Sequence, residues 1–450
     1  MEEQLFKQKL NKIKKVITQS YESSYYSNLY RNLDFDFINQ LTYDNFKKIP
    51  VLTKDIYNRN KFYMLTKKDL NLDNYYNFND YNAKREYLNT NGYLLKVTSG
   101  STGIPLEVIK SYSDNRNDYI TLNLYRHKIS NYDFKGLFLW IWPVNPLIRK
   151  LFYANDVSDN YININNNGYQ YMLYDHSEIN FELLYQFILK NNFEWITSSP
   201  SVLASFSDFL LDNNYIVSDI QYIECHSEYL YEWQIEKIKN AFNVYPTSIY
   251  SSNEIQFIGG LCSKEKLHLF SNCFVEFLDN EVGNKEICIT SLNYFDIPII
   301  RYKLGDCGDW DKDQDCNCEF INHPKFKLKQ YRTNDYIVSK YGQHLEPFII
   351  TDSIVYISNF LGLKLTKYRV IQKWYDNFEY CFSKELIIDT DKINYHLEKY
   401  LSELLKYKVY IIVTFKDFNT LTYHGNKYKY FEVDKILLEN HSNNHKNTQV

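Results

Sequence analysis

The sequence predicts an α/β fold in which a large layered α/β N-terminal domain precedes a small α+β C-terminal domain. From Tyr93 to about Lys325, short apolar runs typical of strands alternate with segments that repeat apolar residues every three or four positions, as helices do. After about Gln330, strand-like runs flank one strongly amphipathic helix instead. At 450 residues the chain is long enough for two or three domains.

The predicted elements of the large domain begin with helices. The first 60 residues favour helices, and the polar stretch Asp73–Asn82 favours a loop. The expected strands are Tyr93–Val97, Leu137–Ile141, Trp195–Ser198, Ile220–Glu224, Thr247–Tyr250 and Glu286–Thr290. The clearest helices are Phe181–Lys190 and Glu232–Phe242.

The C-terminal region predicts a separate domain. Its expected strands are Tyr368–Trp374, Glu385–Asp389 and Val409–Phe415. Between the last two, Asp391–Lys406 predicts a helix whose apolar residues fall on one face. We therefore expect an N-terminal domain over residues 1–330, a C-terminal domain over 331–439 and a disordered tail over 440–450.

Composition excludes several classes of protein. The chain has 51 Lys and Arg against 55 Asp and Glu, a net charge of −4, which lacks the basic excess of proteins that bind nucleic acid or anionic membranes. Gly136–Pro143, the most apolar run, is too short to span a bilayer, and Met1–Val16 lacks the apolar core of a secretory signal. These features indicate a cytoplasmic protein whose 8 cysteines are free thiols or metal ligands.

The first motif that suggests chemistry follows the strand predicted at Tyr93–Val97. It consists of Thr98, Ser99, Gly100, Ser101, Thr102 and Gly103. Glycines let a loop turn sharply and expose successive backbone N–H groups, which together with hydroxyls can hold phosphate oxygens. The alternative is a surface turn, since Ser, Thr and Gly often cluster there.

A second motif lies at the end of the strand predicted at Thr247–Tyr250. Ser251, Ser252 and Asn253 form a turn-like stretch that ends at Glu254. An exposed carboxylate at a strand end can bind a hard cation such as Mg²⁺, and Tyr250 can stack on a base. The alternative is a solvated loop glutamate.

A third motif begins with the apolar run Ile297–Ile300, which predicts a strand. Arg301 and Lys303 follow it, and then Gly305 and Asp306. A carboxylate at a glycine turn suits bidentate recognition of a ribose diol. The alternative is a strand that ends in a hairpin turn.

In this order and at these separations, the three motifs resemble those of the adenylate-forming (AMP-forming acyl ligase) superfamily. The nearest branch is the phenylacetate–CoA ligase-like one, which includes capsular polysaccharide biosynthesis-type members. Further segments are similar to that branch: Ile49–Lys54, Ser199–Leu203, Ser227-Glu228, Arg332–Val338 with Gly342, and Gly425-Asn426-Lys427. The matches run from about residue 45 to about residue 430, and several in order are far more specific than one.

The resemblance implies a large adenylation domain, a small C-terminal lid and ATP-dependent activation of a carboxylic acid. It implies that Thr98, Ser99, Gly100, Ser101, Thr102 and Gly103 hold the β- and γ-phosphates. It also implies that Tyr250 stacks on adenine, Glu254 binds Mg²⁺ and Asp306 binds the ribose with help from Arg332. Lys427 would reach the α-phosphate and the carboxylate, and Lys429 is its rival for this role.

Four positions depart from the family pattern. Ser251 stands where Gly is usual, Asn253 where Ser or Thr is usual, Asn334 where Asp is usual, and Leu304 where Thr is common. Asn253 can still donate a hydrogen bond to a phosphate. These departures keep a non-catalytic nucleotide-binding relative among the alternatives.

The resemblance also implies a second reaction step after adenylation. The acyl group usually passes to a thiol such as CoA, and an amine, a hydroxyl or a carrier protein are alternative acceptors. The acid in this branch tends to be aromatic. Trp140 and Trp142 are consistent with an aromatic acid, although packing in the core is the favoured explanation for them.

A candidate zinc site is formed by Cys262, His268, Cys316 and Cys318. Three thiolates and one imidazole suit a tetrahedral structural zinc ion. Members of the phenylacetate–CoA ligase-like branch often carry a similar arrangement, although Glu319 replaces their usual Gly. The alternative is unrelated thiols and a surface histidine. The adjacent Cys225 and His226 do not suggest a catalytic pair, since neighbouring residues in a strand point to opposite faces.

Overall fold

The computed structural model of the protein describes most of the chain. The described residues are 1–31, 33, 40–67, 70, 72–78, 81–98, 106–130, 132–143, 160–165, 167–173, 176–279, 285–332, 337–341, 344–345, 348–361, 363, 365, 368–384, 389–416, 430–434 and 437.

Helices and one hairpin make up the first part of the chain. The helices are α1 (Glu2–Ser20), α2 (Ser24–Arg31), α3 (Tyr43–Lys47), α4 (Lys54–Asn60), α5 (Leu72–Asn77) and α6 (Tyr81–Thr90). The antiparallel hairpin of β1 (Tyr93–Thr98) and β2 (Leu106–Ser111) follows and leads into α7 (Tyr112–Ile129). Ser111 begins α7 by accepting a hydrogen bond from the Asp114 backbone.

A sheet of eight strands forms the centre of the large domain. Its elements are β3 (Phe138–Pro143), β4 (Tyr161–Asn165), β5 (Gly168–Leu173), α8 (Glu178–Asn191), β6 (Trp195–Ser198), α9 (Pro200–Asp212), β7 (Tyr222–Cys225), α10 (Glu232–Phe242), β8 (Thr247–Tyr250), β9 (Gly259–Leu261) and β10 (Leu267–Leu269). The strand order is β10-β9-β8-β7-β6-β3-β5-β4, and the strands from β8 to β5 are parallel.

The two faces of this sheet are covered differently. One face packs its apolar side chains, among them Leu139, Ile196 and Ile223, against α8, α9 and α10. The other face lies against α7, because Arg126 of that helix binds Glu224 of β7. The sheet therefore sits between two layers, as parallel sheets require.

A second sheet has the strand order β11-β12-β13-β14. Its strands are β11 (Cys273–Asp279), β12 (Lys285–Ser291), β13 (Tyr302–Trp310) and β14 (Phe326–Arg332). Helix α1 is tied to β11: Lys9 donates to the carbonyls of Phe270 and Cys273, and Glu2 accepts a hydrogen bond from the Phe277 backbone. Buried residues of α1, the hairpin and this sheet share one hydrophobic core.

The C-terminal region has a core of its own. It contains β15 (Ile337–Val338), β16 (His344–Leu345), α11 (Phe348–Leu361), β17 (Tyr368–Trp374), β18 (Asn377–Ser383), α12 (Thr390–Leu405), β19 (Tyr410–Lys416) and β20 (Phe431–Val433). The four larger strands form a sheet in the order β19-β18-β17-β20, and buried side chains of both helices pack with it.

Contacts divide the chain into two compact units. The first comprises Met1–Asn280, Lys285–Leu304 and Gly308–Leu328, and the second comprises Glu281–Asn284, Gly305–Cys307 and Lys329–Val450. The domain boundaries expected at 330 and 439 stay predictions. Within the described residues, no helix is both long and apolar enough to cross a bilayer.

The predicted fold class is confirmed, and two local predictions are wrong. Asp73–Asn82 is not a loop: it contains most of α5 and the start of α6, where Tyr75 is buried against Phe62. Residues 297–300 are not a strand; the strand is β13, and Gly305 and Asp306 lie inside it instead of in a turn. Of the expected strand at 385–389, residues 385–388 lie outside the described residues and Asp389 is the N-cap of α12. Strand β18, which the sequence did not predict, pairs with β17 and β19.

Candidate nucleotide site and metal centre

The second motif forms a tight turn directly after β8. Ser252 accepts a hydrogen bond from Ile255 N at 2.9 Å and donates to the Ile255 carbonyl at 3.2 Å. The Ser251 hydroxyl accepts from Phe257 N at 3.2 Å. The serine that replaces the usual glycine thus closes the turn, and Tyr250 is the last residue of the strand before it.

Glu254 projects from this turn and is held by a tyrosine. The hydroxyl of Tyr302, the first residue of β13, donates to Glu254 Oε1 at 2.7 Å. Within the described residues, Oε2 accepts no hydrogen bond. The carboxylate is half-buried and beside it Asn253 is exposed. One oxygen is therefore fixed while the other is available to a cation or a donor.

The hairpin β1–β2 leads into the first motif. Thr98 is the last residue of β1, and Leu106, which opens β2, is its partner across the hairpin. The side chain of Thr98 and residues 99–103 lie outside the described parts of the chain. The structure thus gives the two strands that connect to the predicted phosphate loop, and the loop itself stays a prediction.

A buried polar network anchors the same hairpin. Lys110 of β2 donates to Asp118 of α7 at 2.6 Å, and the hydroxyl of Tyr294 also donates to Asp118 at 2.6 Å. Tyr294 in turn accepts a hydrogen bond from Gln256 N at 3.0 Å. Burial raises the pKa of Asp118, and Lys110 opposes that rise. The network connects the hairpin, α7 and the turn that carries Glu254.

Lys96 is a residue that the motifs did not identify. It lies on β1, opposite Val108 of β2 and two positions before Thr98. Burial, followed by the neighbouring Lys110, lowers the pKa of Lys96 to about 7. Within the described residues its ammonium makes no hydrogen bond or ion pair. A lysine two residues before a Ser/Gly loop was the sequence feature that could have indicated it.

The remaining predicted nucleotide-binding residues are located only in part. Asp306 lies within β13 and follows Gly305, whose φ of 80° only glycine adopts freely. Arg332 ends β14, and its side chain is not among the described ones. Lys427 and Lys429 both fall outside the described residues, so the choice between them stays a prediction.

Two of the segments that resemble the family meet at the carboxyl end of the large sheet. Ser201 of α9 donates its hydroxyl to Glu228 Oε1 at 3.0 Å and its backbone N–H to Oε2 at 3.3 Å. Ser227, before this glutamate, has a φ of 72°. The loops after β6 and β7 are thereby connected to each other.

The four predicted metal ligands lie together. The ligand atoms of Cys262, His268, Cys316 and Cys318 are all within 4.8 Å of one another. The Sγ atoms of Cys262 and Cys316 are 3.8 Å apart, and Cys318 Sγ is 3.4 Å from His268 Nε2. In tetrahedral coordination with Zn–S bonds of about 2.3 Å, two sulfurs lie about 3.8 Å apart. The donors and their spacing therefore fit zinc.

The groups around these four residues fix their orientation. His268 Nδ1 contacts the His323 carbonyl at 2.8 Å, so that nitrogen carries the proton and Nε2 faces Cys318. Backbone N–H groups of Lys264 and Lys266 each lie 3.4 Å from Cys262 Sγ, as donors to sulfur. The arrangement offers four ligands and keeps no position for a substrate.

Cys225 does not have the surroundings of a nucleophile. Its side chain is fully buried among the apolar residues beneath α9 and α10, and burial raises the pKa of its thiol. The ring of the following His226 lies on the other face of the sheet, near Trp140.

No protein-family model matches the chain, and no curated protein matches its sequence. Among solved structures, the same fold occurs in 2-hydroxyisobutyryl-CoA ligase in the postadenylation state with 2-HIB-AMP. The TM-score is 0.65 at 12% identity, over 98% of this chain and 91% of that chain. The complex of that enzyme with R3-HIB-AMP gives 0.64 at 11% identity over the same shares. Its open conformation with 2-HIB-AMP and CoA gives 0.55 at 12% identity, over 94% and 90%.

The chain thus has the fold of the adenylate-forming acyl ligases, as the motifs predicted. At these identities the likeness establishes the fold, and activity must be argued from the site.

Proposed function

We propose that this protein is an AMP-forming ligase. It activates a carboxylic acid with ATP to an acyl-adenylate, releases pyrophosphate and transfers the acyl group to a thiol such as CoA. The observation that carries the proposal is the turn after β8. This turn begins after Tyr250 and carries Glu254, whose carboxylate accepts a hydrogen bond from Tyr302. It lies at the edge of the sheet where parallel α/β folds bind nucleotides.

The chemistry needs no protein nucleophile. A carboxylate is already ionised at neutral pH and attacks the α-phosphorus with one of its oxygens. A P–O bond forms to the acid, the bond to the β-phosphate breaks and pyrophosphate leaves with the electron pair. The barrier is charge repulsion and alignment, which fixed donors and cations reduce.

The proposed roles are those that the motifs indicate. Residues 98–103 hold the β- and γ-phosphates, Tyr250 stacks on adenine, and Asp306 binds the ribose with Arg332. Glu254 would hold Mg²⁺, which supplies charge neutralisation at the departing pyrophosphate. Lys427, in a C-terminal domain that acts as a lid, contacts the α-phosphate and the carboxylate. Lys96, half-buried on β1 just before the loop, would favour the same anionic groups in its protonated form.

A thiol is the acceptor that the structural likeness favours, because 2-hydroxyisobutyryl-CoA ligase was solved with CoA. The thiol sulfur attacks the acyl carbon and AMP leaves. An amine, a hydroxyl or a carrier protein would give the same first half-reaction, and a reaction with CoA omitted separates these acceptors.

We also propose a structural zinc ion at Cys262, His268, Cys316 and Cys318. The fit of the sulfur and nitrogen spacings, the backbone donors to Cys262 and the fixed His268 ring support it. Its contribution is to connect the strands β9 and β10 with the loop between β13 and β14.

The experiment that tests the ligase is ATP–pyrophosphate exchange with Mg²⁺ against a broad panel of carboxylic acids. Exchange stimulated by one class of acid is the expected result. Folded protein that binds ATP but exchanges with no acid would contradict the proposal.

Lys427→Ala and Lys429→Ala form the matched pair for the lid. We expect Lys427→Ala to abolish exchange while ATP binding, measured by calorimetry, stays near normal, and Lys429→Ala to exchange like the wild type. Equal activity of both variants would show that the lid lysine is wrongly assigned.

A further inference from the structure

The strand order of the large sheet reverses beside β3. After β3 the chain forms β4 and β5 on one side of β3. It then crosses to the other side, where β6 pairs with β3 and β7 pairs with β6. In open parallel sheets, ligands bind in the crevice at the carboxyl ends of the strands where the order reverses. That crevice is the one between β3 and β6.

Two residues with buried polar groups that lack partners are neighbours in the sheet at this point. Trp140 of β3 lies opposite Thr197 of β6 in the sheet register. The indole Nε1 of Trp140 and the hydroxyl of Thr197 are each buried and, within the described residues, have no hydrogen-bond partner. A buried polar group without a hydrogen bond destabilises the folded state, so native structures keep few of them.

Neighbouring side chains do not satisfy these two groups. Glu224 lies next to Thr197 in the register, but its carboxylate is taken by Arg126, at 2.6 and 2.8 Å, and by Tyr222 at 3.1 Å. Both unpartnered groups are on the face that lies against α7. On the same face, the ring of Trp142 stacks on Trp140 with centroids 5.2 Å apart, and both rings are half-buried.

Trp195 shows what an unpartnered indole looks like when it is only part of the core. Its Nε1 also lacks a partner among the described residues, but it lies two residues before Thr197, farther from the carboxyl end of the strand. Phe138 stacks on its ring at 4.6 Å, Phe134 contacts its edge and the Arg126 guanidinium covers it at 4.7 Å. Trp195 is 4% exposed and closed in on these sides, whereas Trp140 is only half-buried.

We propose that the crevice between β3 and β6 binds the body of the acid, and that Trp140 N–H and the Thr197 hydroxyl bind an oxygen on it. The substrate class is therefore carboxylic acids with a hydroxyl or carbonyl oxygen on an otherwise apolar body. This inference rests on the proposed ligase function, whose site it extends to the acid. The stacked indoles of Trp140 and Trp142 supply the apolar wall.

The test is ATP–pyrophosphate exchange with matched acids. The 2-, 3- and 4-hydroxyphenylacetates are compared with the corresponding methylphenylacetates, which have nearly the same shape but no hydrogen-bonding oxygen. We expect kcat/KM for at least one hydroxy acid to exceed that of its methyl partner by about 100-fold. Trp140→Phe and Thr197→Val should each reduce this ratio about tenfold, chiefly through the hydroxy acid.

Trp195→Phe is the matched control, because it removes another unpartnered indole N–H from the same sheet face. It should leave the ratio unchanged, and thermal unfolding checks that each variant is folded. Thr197→Val, which keeps the side-chain volume, decides the matter if Trp140→Phe fails to fold. Methyl acids that exchange as well as hydroxy acids, or a ratio unchanged in Thr197→Val, would overturn the inference and leave the ligase intact. No exchange with any acid would overturn both.

Discussion

The hydrogen bond between Tyr302 and Glu254 makes the strongest prediction at the scale of single residues. Glu254→Gln keeps the shape of the side chain but removes the charge that would hold Mg²⁺. We expect the rate of ATP–pyrophosphate exchange to fall about 100-fold or more and its dependence on Mg²⁺ concentration to shift upward. Tyr302→Phe should cost about fivefold, since it only frees the carboxylate.

Glu236→Gln is a suitable control for this pair because Glu236 is exposed on α10. It should exchange like the wild type. If the dependence of exchange on Mg²⁺ concentration is unchanged in Glu254→Gln, Glu254 does not bind the metal ion.

Lys96 makes a second residue-scale prediction, this time on stability. Its pKa is lowered to about 7 in the folded protein from an ordinary value of 10.5. Between these values the unfolded chain binds the extra proton, so the free energy of unfolding rises with pH from about 7 to 10.5. Below pH 7 Lys96 is charged in both states, so the folded protein bears the whole free-energy cost of removing this charge from water.

Lys96→Met should therefore stabilise the protein at pH 6 by about 1–3 kcal/mol and remove this pH dependence. Urea unfolding at pH 6, 8 and 10 measures both effects. Lys239→Met, at an exposed lysine of α10, is the control and should change neither. Parallel pH profiles for Lys96→Met and the wild type would contradict the assignment.

At the scale of elements, one carboxylate attaches the hairpin β1–β2 to the N-terminal helices. Glu107 of β2 accepts from Lys61 at 3.0 Å, from Lys84 of α6 at 2.9 Å and from Tyr75 of α5 at 2.9 Å. Burial alone would raise the pKa of Glu107, but the hydrogen bonds from Lys84 and Lys61 lower it. The stabilisation is therefore present above the ordinary pKa of a glutamate and lost on acidification.

Glu107→Gln should lower the free energy of unfolding by about 3 kcal/mol at pH 7, because it leaves buried Lys61 with the neutral Asn58 but without a carboxylate. Chemical denaturation measures the loss. Glu86→Gln, on the exposed side of α6, should stay within about 0.5 kcal/mol of the wild type. If both variants were equally stable, the three donors would not anchor the hairpin.

The elements also show what the sequence can and cannot predict. Strands such as Trp195–Ser198 and Thr247–Tyr250 were predicted to the residue, because buried parallel strands are short apolar runs between turn residues. Strand β18 was missed, since its Asn377 and Glu379 interrupt the apolar run. Helix α5 was missed because what stabilises it is tertiary: Tyr75 is buried and bonds to Glu107, 32 residues later.

The candidate sites show the same contrast between residue types, which the sequence shows, and tertiary contacts, which it does not. Residue types and the family resemblance were sufficient to select four Cys and His residues that the fold brings together, although Cys262 and Cys316 are 54 positions apart. The sequence could not predict the partner of Glu254, because Tyr302 lies 48 residues later and no local pattern identifies it. The unpartnered groups of Trp140 and Thr197 likewise emerge only once the strand order brings β3 next to β6.

At the scale of the whole molecule, the metal centre should affect stability globally. Cys316→Ser is expected to lower the zinc-to-protein ratio from about one to near zero and the Tm by roughly 5 °C. The reason is that the cluster joins the edge of the large sheet to the loop between β13 and β14. Elemental analysis and thermal unfolding measure the two effects.

Cys273→Ser is the control, since Cys273 is buried outside the cluster. It should keep its zinc even if it loses stability. Wild-type protein free of zinc after purification without chelators would eliminate the proposed ion.

The attachment of α1 to β11 has a consequence for synthesis. Glu2 bonds to a backbone group 275 positions later, and Lys9 bonds to carbonyls 261 and 264 positions later. At about 5–20 residues per second, a ribosome needs roughly 14–55 s to add those 275 residues. For that time Glu2 and Lys9 lack these backbone partners, and Phe6 of α1 can contact only Tyr43 and Phe46 of α3. Helix α1 therefore completes its contacts with β11 late in synthesis, and nascent chains stalled before residue 277 are the ones that should depend most on chaperones.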